Sequence, residues 1–437
     1  MKPRSISVWL DRSLLRYAAM ALLSSPACLQ AQVPEGPAGA PAVTDLGGLV
    51  RAAVVASPRV QGAAAQHEEA AIHARAARTG YYPTPSIEFG QSTRGNRQGV
   101  LQLDQPLWAG GAIDASVRAA DARSRAGEAS EDSAREAVGL DTLGAWRDYA
   151  LAHARERALE RMAAEYQRLF AQIQRRVASG ASAASDLAYV QARAEQIEAQ
   201  LAEVRGAKVA AHGALAVLLA APLTPEALAA LAGELDKPVR RVLWDPAVAA
   251  DAVLGRSPRV EQLRAEAQAA RHDQETRRAE AWPRVSVSLQ KGFGADSNLN
   301  GDKLRVMLNV RFAPGAGWSQ LARTEAAAQR TADAEARIRE TSNQLRVELR
   351  QLIAQLHAEA MQRPSLERQH MADAEVYDSY QRLFEAGRRS WIDVLNSLRD
   401  KNNTELQQAA NAVAIRYLDA RLQLLTTGSV ASQEAAQ

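Results

Sequence analysis

The side chains able to bind a metal or act as nucleophiles are few: seven histidines and one cysteine in 437 residues. Their spacing supports neither chemistry. His67 and His73 bracket HEEAAIH, whereas two zinc ligands on one helix face stand four residues apart. His153, His212, His272, His357 and His370 are isolated from one another and read as surface residues. GFGADSNLNGD, at 292–302, has the composition of a calcium loop but lacks the alternating acid and amide order and the distal glutamate. There is no P-loop, nucleophile elbow or C-x-x-C pair. The sequence therefore predicts no enzyme, no cofactor and no metal. What remains is electrostatic. LFEAGRRSWIDVLN, at 383–396, sets Gly387, Arg388, Arg389, Trp391 and Asp393 together inside a helical tract. Glycine suits the left-handed turn that ends a helix. One cation near a helix end covers exposed carbonyls, and two adjacent arginines exceed that need.

The elements that position this cluster are written twice. SPRVQGAAAQHEEAAIHARAARTGYYPTPSIEFG begins at Ser57, and SPRVEQLRAEAQAARHDQETRRAEAWPRVSVSLQ begins at Ser257, so the offset is 200. Pro83 matches Pro283 without a gap. Gly111, in WAGGAID, pairs with Gly317 or its neighbour in APGAGWS. Gly180, in RVASGASAASDLAYV, pairs with Gly387, and Asp186 with Asp393, now at an offset of 207. The added residues fall between the prolines and the glycines. YQRLF at 166–170 and 380–384 suggests a rival offset of 214, one heptad away, and heptad-patterned helices produce such shifted matches. The glycine and aspartate pairs fix the register.

Each copy has the same order. A helical segment, 45–79 or about 247–280, ends at Tyr82-Pro83 or Trp282-Pro283, because the residue before proline leaves helical space. Two short alternating runs follow, near 86–91 and 99–105, then near 284–290 and 303–312. In the last, Leu304, Val306, Leu308, Val310 and Phe312 share one face while Arg305, Asn309 and Arg311 share the other, a strand pattern. A long helical tract comes next, 111–178 or 318–385, reaching roughly 100 Å at ~1.5 Å per residue. Pro364 is expected to kink or locally break the second tract. After each glycine turn a shorter helix returns, 183–220 or 390–425. Ser182 or Ser185, and Ser390, are candidate caps for these. Residues 1–31 form a signal peptide, 32–44 a flexible leader, 45–221 the first copy, 222–246 a linker, 247–425 the second copy and 426–437 a tail.

Composition agrees with this plan. Aromatics are 5% and charged residues 24%, in balanced signs, which favours long helices packed on small residues. Residues 1–31 hold Lys2, Arg4, Arg12 and Arg16 against Asp11, and this accounts for the entire formal charge of +3. No basic nucleic-acid footprint is left. The same residues read as an export signal, with an apolar run from Leu14 to Leu23 and cleavage after Ala31. Cys28 has Ser25, not an apolar residue, three positions before it, against a lipoprotein signal. No later segment has eighteen consecutive apolar residues, so only strands closing a barrel are available to cross a membrane. Four strands cannot close a barrel alone. Two chains would pool eight strands around filled space, and three would pool twelve around a lumen. A soluble sheet carried by a coiled-coil scaffold is the competing reading.

Taken together, these residues resemble the TolC family of outer-membrane efflux and secretion channels, from about Leu46 to Leu425. The resemblance rests on the two-fold repeat, the SPRV openings, the aromatic–Pro pairs, the Gly-rich exits at 110–111 and 315–317 and the G-x5-D tips. It implies a mainly α protein with a small β part. Long helical hairpins would form a trimeric periplasmic α-barrel joined to a 12-stranded outer-membrane β-barrel, four strands per chain. The chain would lie in the outer membrane, extend into the periplasm, and work as a homotrimer with a periplasmic adaptor and an inner-membrane ABC transporter. FEAGRRSWIDVLN resembles the subgroup serving type I secretion of large proteins; multidrug or metal efflux is the alternative. The resemblance further implies that the turns at Gly180 and Gly387 form the periplasmic entrance. Ser185 and Asp186 on one tip would be linked, within and between chains, to Phe384 and Arg389 on the other, with Arg388 as an extra cation. Phe384 stands where tyrosine is common, and Asn396 where some members carry an acidic ring. Leu304, Val306, Leu308, Val310 and Phe312 would face lipid.

Overall fold

The structure is a computed structural model that describes residues 45–91, 97–235, 244–293, 304–313 and 316–428. The expected signal peptide, Cys28, the expected leader and most of both strand-joining loops, including most of GFGADSNLNGD, lie outside the described residues. So does the tail from 429 onward.

The first copy comprises α1 (Leu46–Ala56), α2 (Pro58–Arg78), β1 (Thr84–Gln91), β2 (Arg97–Trp108), α3 (Ala112–Ala178) and α4 (Ala184–Leu218). A short helix, α5 (Pro225–Gly233), follows. The second copy comprises α6 (Pro246–Arg256), α7 (Pro258–Ala279), β3 (Arg284–Phe293), β4 (Leu304–Arg311), α8 (Ser319–Glu385) and α9 (Trp391–Thr427). The long helices α3 and α8 have 67 residues each and start 207 positions apart.

The structure adds detail to three expectations. The segments 45–79 and 247–280 are two helices each, because Pro58 and Pro258 open new helices and push Ser57 and Ser257 into extended or near-extended backbone. The SPRV motif is therefore a helix start. The linker 222–246 contains α5, whose Thr224 caps the Ala227 N–H with Pro225 in the first turn. Pro364 does not break α8, which runs through it. Leu352, Ile353 and Leu356 before it and Leu366 after it are all buried, so packing on both sides holds the axis together.

The sheet is antiparallel in the order β1-β2-β3-β4. Below it the helices line up in the same sequence. In the half nearer the sheet α2 packs on α3, α3 on α7 and α7 on α8; in the farther half α4 packs on α3, α3 on α9 and α9 on α8. The near half packs on alanines such as Ala115, Ala119, Ala122 and Ala126. Exposed ion pairs cross it, Arg78–Asp121 at 3.0 Å, Arg118–Glu275 at 2.9 Å and Arg271–Glu335 at 2.6 Å. Such pairs contribute about 0–1 kcal/mol each, so close backbone approach carries this half. The far half is held by large apolar side chains, among them Leu159, Met162, Leu169, Ile173, Val190 and Leu398.

Between the halves the chain thickens. Trp146 is fully buried and its Nε1 donates to the Leu231 carbonyl at 3.3 Å. Arg416 Nε donates to the Glu234 carbonyl at 2.9 Å, and its Nη2 lies 3.1 Å from Glu234 Oε2, both residues being buried. These contacts fix α5 to the long helices. Leu345, Leu349, Leu352 and Leu356, the heptad-spaced leucines of α8, are buried, and the last three pack with Ala249 and Val253 of α6. Among the described residues, no helix is long and apolar enough to cross a membrane.

Candidate functional site

Two regions carry the candidate residues: the sheet at one end and the pair of helix turns at the other. In the sheet, cross-strand register sorts side chains by face, since directly paired residues point the same way. Ile87 pairs with Leu101, Leu103 with Leu289, Leu289 with Val306, Val287 with Leu308 and Val285 with Val310. One face is thus apolar, and it is bare: Val306 is 69% exposed and Leu308 66%. Leu304 and Val310 continue it, and Phe312 lies exposed just beyond β4. The other face is polar and internally bonded. Gln290 Nε2 donates to Gln102 Oε1 and Asn309 Nδ2 to Ser288 Oγ, each at 2.8 Å, with Arg305 and Arg311 alongside. An apolar surface with no protein cover, backed by a wet polar one, is the pattern of a strand between lipid and water. Where the sheet meets the helices, Tyr81, Tyr82, Trp108, Trp282, Phe312 and Trp318 are all exposed. Aromatic side chains concentrate at membrane–water interfaces for their amphipathic rings. The outer edges of β1 and β4 pair with no strand among the described residues, and long apolar edges of this kind invite another chain.

The two helix turns share one frame. Gly180 has φ +74° and Gly387 φ +72°. Around them the Ala181 N–H reaches the Arg176 carbonyl and the Arg388 N–H the Leu383 carbonyl, both at 2.8 Å. The Gly180 and Gly387 N–H groups bond to Val177 and Phe384, both at 3.0 Å. This is the same Schellman closure 207 residues apart, which settles the repeat register. The sheet-side starts of the long helices match too: Gly110 and Gly111 are left-handed where Gly317 and Trp318 are. Gly111 therefore pairs with Trp318, whose φ of +58° costs a non-glycine residue about 1–2 kcal/mol. Gly387→Ala is expected to cost a similar ~1–2 kcal/mol, since alanine must enter the left-handed region. Thermal unfolding followed by circular dichroism would register the loss, and an unchanged midpoint would exclude strain at this turn.

The resemblance implied links within and between chains; within one chain the tip residues find local partners. Within the chain, Arg389 and Asp186 are not linked. The Arg389 guanidinium lies 4.5 Å from the Tyr380 ring centroid and pairs with Asp393 at 3.3 Å, one helical turn away. Asp186 Oδ2 instead accepts from the Ala183 N–H at 3.3 Å, capping its own helix. Phe384 is buried, with Arg176 over its ring at 4.7 Å, so it packs and offers nothing to the surface. Ser390 caps α9 through the Ile392 N–H at 3.3 Å. Neither Ser182 nor Ser185 caps α4, because the helix begins one residue after Ala183 and puts them on either side of the capping position. Ser185 and Asn396 are exposed and make no side-chain hydrogen bond with any described residue.

Sequence reasoning left Trp391 unassigned, and its place is clear. Trp391 is buried and meets Tyr189 edge to face, with centroids 5.6 Å apart, bringing the starts of α4 and α9 together across α3. Above it, Lys401 Nζ lies 2.6 Å from Glu165 Oε1 and over the Tyr377 ring at 4.9 Å. Burial, with Glu165 adding to it, pushes the Tyr377 phenol up to about 12. Among the described residues no group of three His, Cys, Asp or Glu could hold a metal ion.

Residues 49–221 match the family described as Outer membrane efflux protein. No curated protein matches the chain in sequence. Among solved structures, the chain is similar to the outer membrane protein VceC from Vibrio cholerae, at 19% identity and TM-score 0.75, covering 88% of this chain and 97% of that one. It is similar to the CmeC outer membrane channel of Campylobacter jejuni at 14% identity and TM-score 0.74, covering 89% and 87%. The open state of the MtrE outer membrane channel of Neisseria gonorrhoeae matches at 16% identity and TM-score 0.68, covering 88% and 89%. A mainly helical chain with a four-stranded antiparallel sheet, matched over nearly its whole length, thus has the fold of these outer-membrane channels, and its residues 49–221 carry the pattern of the outer membrane efflux protein family.

Proposed function

We propose that the whole chain is an outer membrane efflux protein, acting as a passive channel across the outer membrane and down into the periplasm. The carrying observation is the open sheet with one bare apolar face and two unpaired edges, continued by 67-residue helices. Copies of the chain satisfy those edges by joining β4 of one to β1 of the next. Three copies give twelve strands and a lumen, whereas two give eight and a filled interior. The apolar face then meets lipid through Leu304, Val306, Leu308, Val310 and Phe312, and the polar face lines the pore. The helix rows close in the same sense into a tube roughly 100 Å long. Nothing in this arrangement supplies energy, so transport is driven by an inner-membrane transporter reached through a periplasmic adaptor. Reconstitution of the purified full chain into planar bilayers tests this; discrete channel conductance is expected, and its absence would overturn the reading.

The turns at Gly180 and Gly387 form the entrance at the far end. Asp186 and Arg389 are already engaged within the chain, so a gate through them runs between copies. Asp186→Ala and Arg389→Ala are each expected to raise closed-state conductance several-fold; no change in either variant argues against a gate here. For cargo, FEAGRRSWIDVLN supports type I secretion of a large protein through an ABC transporter. The match of the first copy to the outer membrane efflux protein family supports small-molecule or metal efflux. Deleting the gene separates them: loss of a secreted protein at unchanged drug and metal tolerance favours the first, and the reverse outcome the second.

A further inference from the structure

The polar face of the sheet carries its charge unevenly. By cross-strand register it holds Arg284 on β3, Arg305 and Arg311 on β4, Asp104 on β2 and Glu88 on β1. Arg284 and Arg311 are direct partners, the first residue of β3 and the last of β4, at the end where the sheet meets the helices. Like charges placed directly opposite destabilise a sheet, so pairing of the strands does not account for them. Little nearby neutralises them. Both are exposed, and Arg311 makes no hydrogen bond or ion pair with any described residue. Arg284 Nη2 lies 3.6 Å from Glu280 Oε1, but Glu280 also serves Arg277 at 3.0 Å and Gln320 at 3.2 Å. The two acids of the face stand farther along it. Asp104 is level with Ser288, four residues from Arg284, and Glu88 is level with Gly292, eight residues away. At ~3.4 Å per residue those offsets are roughly 13 and 27 Å, beyond the ~10 Å over which charge acts at ~0.1 M salt. Asp104 is moreover engaged by Gln102 Nε2.

We propose that Arg284 and Arg311 form a ring of arginines at the base of the strand barrel, two from each copy, and that this ring makes the pore select small anions over cations. The inference rests on the channel reading, which turns the polar face of the sheet towards the lumen. In that arrangement both guanidinium groups enter the water-filled space at one level, because cross-strand partners share a face. Guanidinium groups remain charged at every accessible pH. Rings of arginine or lysine favour anions in pores, as rings of aspartate or glutamate favour cations. Low-dielectric walls focus such a field and raise the local concentration of counter-ions. Beyond the ring the middle of the lumen face is mainly neutral, with Ser286, Ser288, Gln102, Gln290 and Asn309. The arginine pair is therefore the concentration of a single charge sign that a solute meets on leaving the helical tube for the strand barrel.

The test uses the full-length channel in planar bilayers, with potassium chloride at ~0.3 M on one side and ~0.03 M on the other, concentrations at which the ring is only partly screened. The reversal potential gives the ratio of chloride to potassium permeability. The parent is expected to pass chloride about 4-fold more readily than potassium, and less selectively when both solutions are raised about ten-fold, since salt screens the ring. Arg284→Gln/Arg311→Gln should bring the ratio to about 1, and Arg311→Gln alone to about 2. Removing opposed like charges favours strand pairing, so both variants should assemble as the parent does, and the single variant keeps the test available if the double one does not. Arg311→Lys should keep the parent's ratio, because the sign of the charge and not the guanidinium fork sets the preference. A parent pore without chloride preference, the parent's ratio retained by both Gln variants, or a loss in Arg311→Lys as large as in Arg311→Gln overturns the proposal. A conducting but unselective parent refutes the arginine ring alone, whereas absence of conductance refutes the channel reading beneath it.

Discussion

Replacing Leu308 by arginine is expected to keep the chain out of the outer membrane. Leu308 sits mid-strand in β4, 66% exposed, on the face that also carries Val306 and Val310. An arginine at the midplane of a lipid-facing strand costs about 2–4 kcal/mol, and a barrel pooled from three copies incurs it three times. The neighbouring control is Asn309→Arg, on the polar face. It loses one hydrogen bond to Ser288, about 1 kcal/mol, and places its charge towards water. Quantifying the folded chain in outer-membrane fractions should show Leu308→Arg nearly absent and Asn309→Arg close to the parent. The reverse order would mean that the faces have been assigned backwards. Equal levels of both would mean that neither face meets lipid.

The second large effect lies far from both ends. Arg416→Met is expected to destabilise the chain by about 3–5 kcal/mol, the usual consequence of removing one partner from a buried ion pair. Arg416 and Glu234 are each only 7% exposed, and Glu234 follows α5, the short helix joining the two copies. The double variant Arg416→Met/Glu234→Leu should recover part of the loss, because it removes both members of the pair, while Asp419, also buried and stabilised by Arg416, keeps its carboxylate. Thermal denaturation of the three proteins checks this. If the double variant is no better than Arg416→Met, the cost comes from lost packing and from the bond to the Glu234 carbonyl.

The fold was legible where the sequence repeats itself. The offset of 207, the glycine turns, the paired 67-residue helices and the strand alternation at 304–310 all follow from local pattern, because each element's geometry is imposed by its own residues. Ser-Pro at 57–58 and 257–258 marks the repeat and equally signals a helix start, since proline suits a first helical turn. Thr224-Pro225 before α5 carried the same signal. The tip was legible as a turn and as a cluster of charge, but its pairings were not. Arg389–Asp393 is an i,i+4 pair that spacing alone offers, but Arg389 also finds Tyr380 back across the turn on α8, and Trp391 finds Tyr189 about two hundred positions away. Those choices depend on how α3, α8 and α9 pack together, which no local pattern encodes. The same holds for Arg416 and Glu234, 182 residues apart.

The central claim is that several copies pool their strands into one membrane-spanning barrel. Electrophoretic migration of the full chain, extracted from purified outer membranes and run with and without heating, tests it most directly. The account predicts that the chain is recovered only with detergent, and that unheated it migrates as a trimer which collapses to single chains on boiling. A chain found in the aqueous lysate, migrating as a single polypeptide whether heated or not, would contradict it.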